Sequence, residues 1–374
     1  MKILFTGGGS GGHFYPIIAV ADEIRKIAKE EHLVAPRLYF MSDSPYDQNL
    51  LLDKNIVFKK IYAGKMRRYF SLLNLTDTLK TGVGILKALF EVFRLYPDVI
   101  FGKGGYASFP VLLAGKILRI PVVIHESDSV PGRVNLWAGK FADRVAVSYP
   151  EAGRSYPSEK TACVGNPVRP DLIPDREGSL DALRLERGVP VIFIMGGSLG
   201  AEIINETLIS ALPELVSKYQ IIHQTGRDNL KDTEGVARVI LKDNPFKDRY
   251  RPLPYLGLEA MKYAAGAADI IISRAGSAIF EIASWGVPSI IIPITDSNGD
   301  HQRKNAWTYA RSGACSVIEE SNLSDSVLVA EINRLMDNPD LRKKMSESAK
   351  KFATPDAGRK IARVILDIAL AHES

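Results

Sequence analysis

Three side chains stand where proton transfer or phosphate binding would need them. His13 closes the run Gly7-Gly8-Gly9-Ser10-Gly11-Gly12-His13. An imidazole, with an ordinary pKa of about 6.5, exchanges a proton near neutrality. Glycines lack a Cβ, so their backbone N–H groups can approach a bulky polar ligand closely. Far downstream, Glu281 stands four residues after Ser277 in Arg274-Ala275-Gly276-Ser277-Ala278-Ile279-Phe280-Glu281. At a helix start, such a carboxylate can accept from both hydroxyls of a ribose while the N–H groups hold a diphosphate. Asp128, in His125-Glu126-Ser127-Asp128, is a second candidate base. Plainer readings stand beside these: His13 as a phosphate ligand or helix cap, Glu281 as a partner of the helix dipole.

Rigid elements must position these groups. Apolar runs at 1–6, 37–41, 56–62, 98–102, 122–125 and 144–148 predict buried strands with helices between them. The pattern lapses at 164–174, through Gly165-Asn166-Pro167-Val168-Arg169-Pro170, which reads as a linker. It restarts at 191–195, 220–224, 253–256, 269–273 and 289–294. Strands alternating with helices imply parallel sheets covered on both faces. The expected fold is α/β, two doubly wound Rossmann-like domains at 1–164 and 165–354. A final helix at about 355–371 is able to pack back on the first domain. Each half opens with strand, glycine turn and helix, the second through Gly196-Gly197-Ser198-Leu199-Gly200-Ala201. Ligands of open α/β sheets bind beyond the carboxyl ends of the strands, so two such domains facing each other would carry a glycine loop on each wall of a cleft.

Composition narrows the class. The chain has 374 residues, 46% hydrophobic and 24% charged, with a net charge of +5. That small excess suits an anionic ligand or membrane surface and is too weak to argue for nucleic acid. Cys163 and Cys315 are the only cysteines and show no metal-ligand spacing, so a reducing cytoplasmic setting is expected. No Asp-x-Asp triplet occurs, so no obligatory metal or other cofactor is expected.

Seven stretches in order, Gly7–His13, Gly102–Pro110, His125-Glu126, Gly165–Arg169, Gly196–Ala201, Arg274–Glu281 and Asp300–Ala306, resemble the glycosyltransferases of family 28, which have the GT-B fold. The resemblance implies an inverting transferase of peptidoglycan synthesis. It would move N-acetylglucosamine from its UDP donor to the C4 hydroxyl of the muramoyl unit of undecaprenyl-pyrophosphoryl-muramoyl-pentapeptide (lipid I). It implies donor contacts from Ser10, Gly11, Gly12, Arg169, Ser198, Leu256, Gly276, Ser277, Ala278, Ile279, Glu281 and Gln302. Acceptor contacts would come from Gly8, Gly9, Gly104, Gly105, Tyr106, Ser108 and Asp128, with His13 and Asp128 as catalytic candidates. Two departures stand out: Ser127-Asp128 replaces the family's usual Gln-Asn, and Leu199 replaces a usual glutamine.

Other readings fit parts of the pattern. A family-28 transferase with another lipid acceptor, a UDP-N-acetylglucosamine 2-epimerase and a non-catalytic UDP-sugar-binding protein share the fold or donor. A nicotinamide oxidoreductase fits Gly7-x-Gly9-x-x-Gly12 but leaves the second glycine loop unexplained. A lipid acceptor would require peripheral attachment at the cytoplasmic face of the cell membrane, alongside other cell-wall synthesis proteins. Lys65, Arg67 and Arg68 before Tyr69–Leu73 suit contact with anionic lipid. The helix that follows reads as mostly core-facing. His32 and His372 read as surface residues, His223 as structural, and His125 as a local hydrogen-bonding group.

Overall fold

The structure is a computed structural model and describes residues 1–8, 10–64, 73–168, 175–197 and 200–373. The chain divides into two compact units, Met1–Arg169 with Thr354–Ser374, and Pro170–Ala353. The first boundary therefore lies at 169/170 rather than 164/165. Residues 165 and 166 stay with the first unit because they are bonded into it: the Gly165 N–H donates to the Val147 carbonyl at 3.3 Å. The last helix, Ala357–Glu373, belongs to the first unit and packs along the helix Gly11–Glu30. Arg359 pairs there with Glu30 at 2.6 Å, and Arg363 pairs with Glu31.

The first unit is a seven-stranded parallel sheet: β1 (Lys2–Thr6), β2 (Arg37–Ser42), β3 (Ile56–Lys60), β4 (Val99–Gly102), β5 (Val122–Glu126), β6 (Arg144–Val147) and β7 (Thr161–Cys163). Its order is β3-β2-β1-β4-β5-β6-β7. Ile3, Leu4 and Phe5 are successive and all fully buried, as a strand covered on both faces requires. Phe5 stands in register with Phe40 on one side and Phe101 on the other. Burial of each such side chain stabilises by about 1.5–3 kcal/mol.

The second unit repeats the plan with β8 (Val191–Met195), β9 (Gln220–Gln224), β10 (Tyr250–Leu253), β11 (Ile270–Ser273), β12 (Ser289–Ile291) and β13 (Cys315–Val317). Its order is β10-β9-β8-β11-β12-β13. The expected strand at 253–256 is displaced: β10 ends at Leu253, and residues 254–257 form the loop that follows it. β7 and β13 escape the hydrophobic pattern because each has three residues, too few to show a period.

Strand order reverses between β1 and β4 in one sheet and between β8 and β11 in the other. At such a switch point the following loops diverge and leave a crevice. Both glycine loops of the sequence, 7–12 and 196–201, lead away from these positions.

Candidate active site

In the first unit the loops after β1 and β4 are pressed together. A methyl group on Gly8 would lie 2.4 Å from the Ala107 Cβ, and one on Gly105 would lie 2.5 Å from the Gly8 carbonyl oxygen. Gly104 and Gly105 have φ of 88° and 82°, values that glycine alone adopts freely. The predicted acceptor residues Gly8, Gly104, Gly105 and Tyr106 thus form one wall. The Tyr106 hydroxyl donates to Asp43, which also accepts from Ser42 Oγ at 3.2 Å. Ser108 is placed differently from its expected ligand-facing position. It is fully buried and its hydroxyl donates to the Gly105 carbonyl at 2.8 Å, so it braces the loop from behind.

His13 is half-buried in the first turn of the helix Gly11–Glu30, with Gly11 and Gly12 beside it. Its Nδ1 lies 3.1 Å from Ser10 Oγ. Its Cβ would lie 3.6 Å from a methyl on Gly7, and the Lys103 Cβ 3.3 Å from the same point. His13 therefore stands at the same loop junction as that wall.

Behind that junction His125 and Asp128 belong to a cluster whose lysine sequence reasoning passed over. Lys103, from Gly102-Lys103-Gly104-Gly105, is 1% exposed. Its ammonium donates to Ser127 Oγ at 2.9 Å and Asn166 Oδ1 at 3.2 Å. Glu126 is buried beside it and accepts from the N–H groups of Asp128 and Gly132 and from Asn135 Nδ2, at 3.1, 2.9 and 2.9 Å. Burial pushes the Lys103 ammonium down to about 8, against the pull of Glu126 and Asp128. Burial, followed by the Asp128 charge, pushes the Glu126 carboxyl up. His125 is buried with its Nε2 2.9 Å from the Gly165 carbonyl, and burial holds it neutral, well below its ordinary range. Asp128 itself is half-buried at the end of this turn.

The second unit ties its glycine loop with neutral hydrogen bonds. Gln224, buried at the end of β9, donates through Nε2 to the Gly197 carbonyl at 2.9 Å. Its Oε1 accepts the Leu256 N–H at 3.1 Å. One amide thus ties the glycine loop to the loop carrying Leu256, whose side chain is buried. A methyl on Gly200 would lie 1.9 Å from the Thr225 carbonyl oxygen, so this glycine is required for packing. Around Gly197, Gly257 and Gly276 the same construction meets only open space among the described residues.

Ser277 stands at the N-cap of the helix Ala278–Trp285, but its hydroxyl makes no cap bond. The Ile279 and Phe280 N–H groups donate to the Gly276 and Ser277 carbonyls at 3.2 and 3.1 Å. Those of Gly276, Ser277 and Ala278 have no partner among the described residues, and Glu281 is half-buried one turn along. Arg274 pairs with Glu320 at 2.6 Å, and Glu320 accepts the Thr295 N–H at 2.7 Å, which anchors the next loop. Gln302 accepts the Ile294 N–H at 3.2 Å. His223 is buried between Tyr250 and Asn205, each at 2.9 Å, and is structural. Gly9, Arg169, Ser198, Leu199 and the segment 65–72 lie outside the described residues.

Residues 3–147 match the glycosyltransferase family 28 N-terminal domain, and residues 191–361 match the family 28 C-terminal domain. The chain is 40% identical over 341 residues to a Bacillus anthracis protein, covering 90% of this chain and 92% of that one. That protein is named UDP-N-acetylglucosamine–N-acetylmuramyl-(pentapeptide) pyrophosphoryl-undecaprenol N-acetylglucosamine transferase 2. The crystal structure of Acinetobacter baumannii MurG aligns with a TM-score of 0.70 at 27% identity, over 98% of this chain and 99% of that one. A Neisseria meningitidis UDP-GlcNAc 2-epimerase bound to UDP-GlcNAc aligns with a TM-score of 0.68 at 16% identity, over 98% and 100%. The latter shows a shared fold alone. With both domains matched in order and the identity spread over nine-tenths of the sequence, the chain belongs to glycosyltransferase family 28.

Proposed function

We propose that this protein transfers N-acetylglucosamine from UDP-N-acetylglucosamine to the C4 hydroxyl of the muramoyl unit of lipid I, forming lipid II. The observation that carries this reading is the 40% identity, over 92% of its length, to a transferase named for that donor and acceptor. The acceptor oxygen attacks C1 of the donor sugar while the bond from C1 to the UDP oxygen breaks, and the configuration inverts. His13 takes the hydroxyl proton, and Asp128 is the alternative base. The N–H groups of Gly276, Ser277 and Ala278, which have no partner among the described residues, meet the diphosphate at a helix start, where negative charge is favoured. The family resemblance also implies diphosphate contacts from Arg169 and Ser198. Glu281 holds the ribose hydroxyls, the Leu256 backbone lies against the uracil, and Gln302 lies near the sugar. This set stabilises the leaving group without an obligatory metal.

The lipid acceptor places the protein at a membrane surface. No helix among the described residues is long and apolar enough to cross a membrane. The helix Leu73–Leu95 is less core-facing than its sequence suggests. Val83, Leu86, Phe90 and Phe93 share one face and are all exposed, while Ala88 and Val92 are buried. That apolar stripe, with exposed Arg94 and Lys80, offers a surface suited to anionic lipid.

The test is transfer of radiolabelled N-acetylglucosamine from its UDP donor to a short-chain lipid I analogue, with EDTA present. Labelled disaccharide product supports donor, acceptor and metal independence together. UDP binding without transfer would overturn the acceptor and bring forward another lipid acceptor or a non-catalytic UDP-sugar-binding role, with Asp128 as the first residue to revert.

A further inference from the structure

The buried lysine behind the acceptor wall has no part in the reading above. A lysine flanked by glycines at a strand end ordinarily reaches solvent, because an ammonium loses several kcal/mol of hydration on burial. Lys103 is instead almost fully enclosed. It spans three pieces of backbone: its own loop after β4, the turn after β5 through Ser127, and the 165–168 segment through Asn166. Its bond to Ser127 sets the ammonium against the turn that carries Glu126 on one side of that serine and Asp128 on the other, and the buried His125 precedes them. Glu126 receives three N–H donors and returns none, the pattern of an ionised carboxylate. One of those donors is the Asp128 backbone, so the position of Asp128 is set by Glu126. Two neighbouring carboxylates repel each other and repel an anionic substrate unless a cation stands between them.

We propose that Lys103 is a positioning residue of the transfer reaction, its enclosed ammonium supplying the counter-charge that lets Glu126 and Asp128 sit side by side at the acceptor wall. The inference rests on the proposed transfer for its kinetic readout and on the cluster geometry alone for its stability readout. Without the ammonium, the 126–128 turn carries uncompensated charge, and Asp128 leaves its place. The donor half of the protein is untouched.

The experiment is a double-mutant cycle on the full chain with Lys103→Met, Asp128→Asn and both together. Lys103→Gln is added as an amide that keeps hydrogen bonding and removes charge. Lys103→Met and Lys103→Gln are each expected to lower kcat about tenfold or more, with KM for UDP-N-acetylglucosamine unchanged. Wild-type kcat is expected to fall above about pH 8, where the ammonium loses its proton, and both variants are expected to lack that fall. In thermal unfolding, Lys103→Met is expected to lower Tm by roughly 5 °C or more, and adding Asp128→Asn to recover part of that loss. Additive Tm shifts, or a Lys103→Gln protein with wild-type kcat and an unchanged alkaline limb, would overturn the proposal. A wild-type protein inactive on the lipid I analogue would count against the transfer reading alone, since the Tm cycle decides the role of Lys103 without any substrate.

Discussion

The two units share a topology and differ in how their switch points are built. Each sheet reverses order beside its first strand and sends a glycine loop into the opening. In the first unit the loops are backed by ionisable groups: Lys103, Glu126, Asp128 and the buried His125, with His13 in front. In the second they are backed by the amide of Gln224, and the nearest buried histidine, His223, is locked neutral between Tyr250 and Asn205. The half proposed to move a proton carries groups whose charge can change. The half proposed to hold the nucleotide ties its glycine loop with neutral hydrogen bonds, whose geometry is independent of pH, and keeps its one ion pair described above, Arg274–Glu320, at the loop that begins at Thr295.

The largest effect that would sharpen this contrast lies at His13. His13→Ala is expected to lower kcat by about 10²–10³-fold, as loss of a general base does, with KM for the donor nearly unchanged. Steady-state transfer kinetics with both substrates varied would reveal a fall confined to KM, which would make His13 a binding group instead. Glu281→Ala should act on the other half, raising the donor KM about tenfold or more through the lost ribose hydrogen bonds. Gln224→Ala leaves the Leu256 N–H and the Gly197 carbonyl without their partner, at a cost of about 1–3 kcal/mol. Chemical denaturation should detect that loss together with a weaker donor KM, and unchanged values would dissolve the role of Gln224 as the tie between the loops.

The smallest expected effect concerns pH. Burial pushes the His223 imidazole down to about 3 from its ordinary 6.5. The unfolded chain then binds a proton below about pH 6.5 that the folded one refuses, so stability is fully present above that value and falls as pH drops toward 3. Urea midpoints at pH 7 and 5 should decline in the wild type and decline less in His223→Asn. Equal declines in both proteins would remove His223 from the acid sensitivity.

Much of this arrangement was legible in the sequence because it depends on local chemistry. β8 and β9 coincide with their apolar runs, which are buried on both faces and bounded by clear turns. The glycine loops were legible for the same reason, since a tight turn between a strand and a helix leaves its residues in the chain. β10 was not, because Pro252 and Pro254 flank Leu253, and an edge strand carrying proline imitates a loop. Lys103 was hidden for a different reason. Its neighbours along the chain are glycines, while the oxygens that hold it come from residues 127 and 166, which only the folded sheet brings near. The helix Leu73–Leu95 reads from its sequence as mostly core-facing, yet Val83, Leu86, Phe90 and Phe93 are exposed, because hydrophobic periodicity shows that a helix has an apolar side, not what covers it.

The division of labour between the halves is tested most directly by titrating UDP into His13→Ala and Glu281→Ala proteins in a calorimeter. The account predicts wild-type affinity for His13→Ala and a loss of about tenfold or more for Glu281→Ala. Equal losses in both, or wild-type affinity in Glu281→Ala, would contradict it.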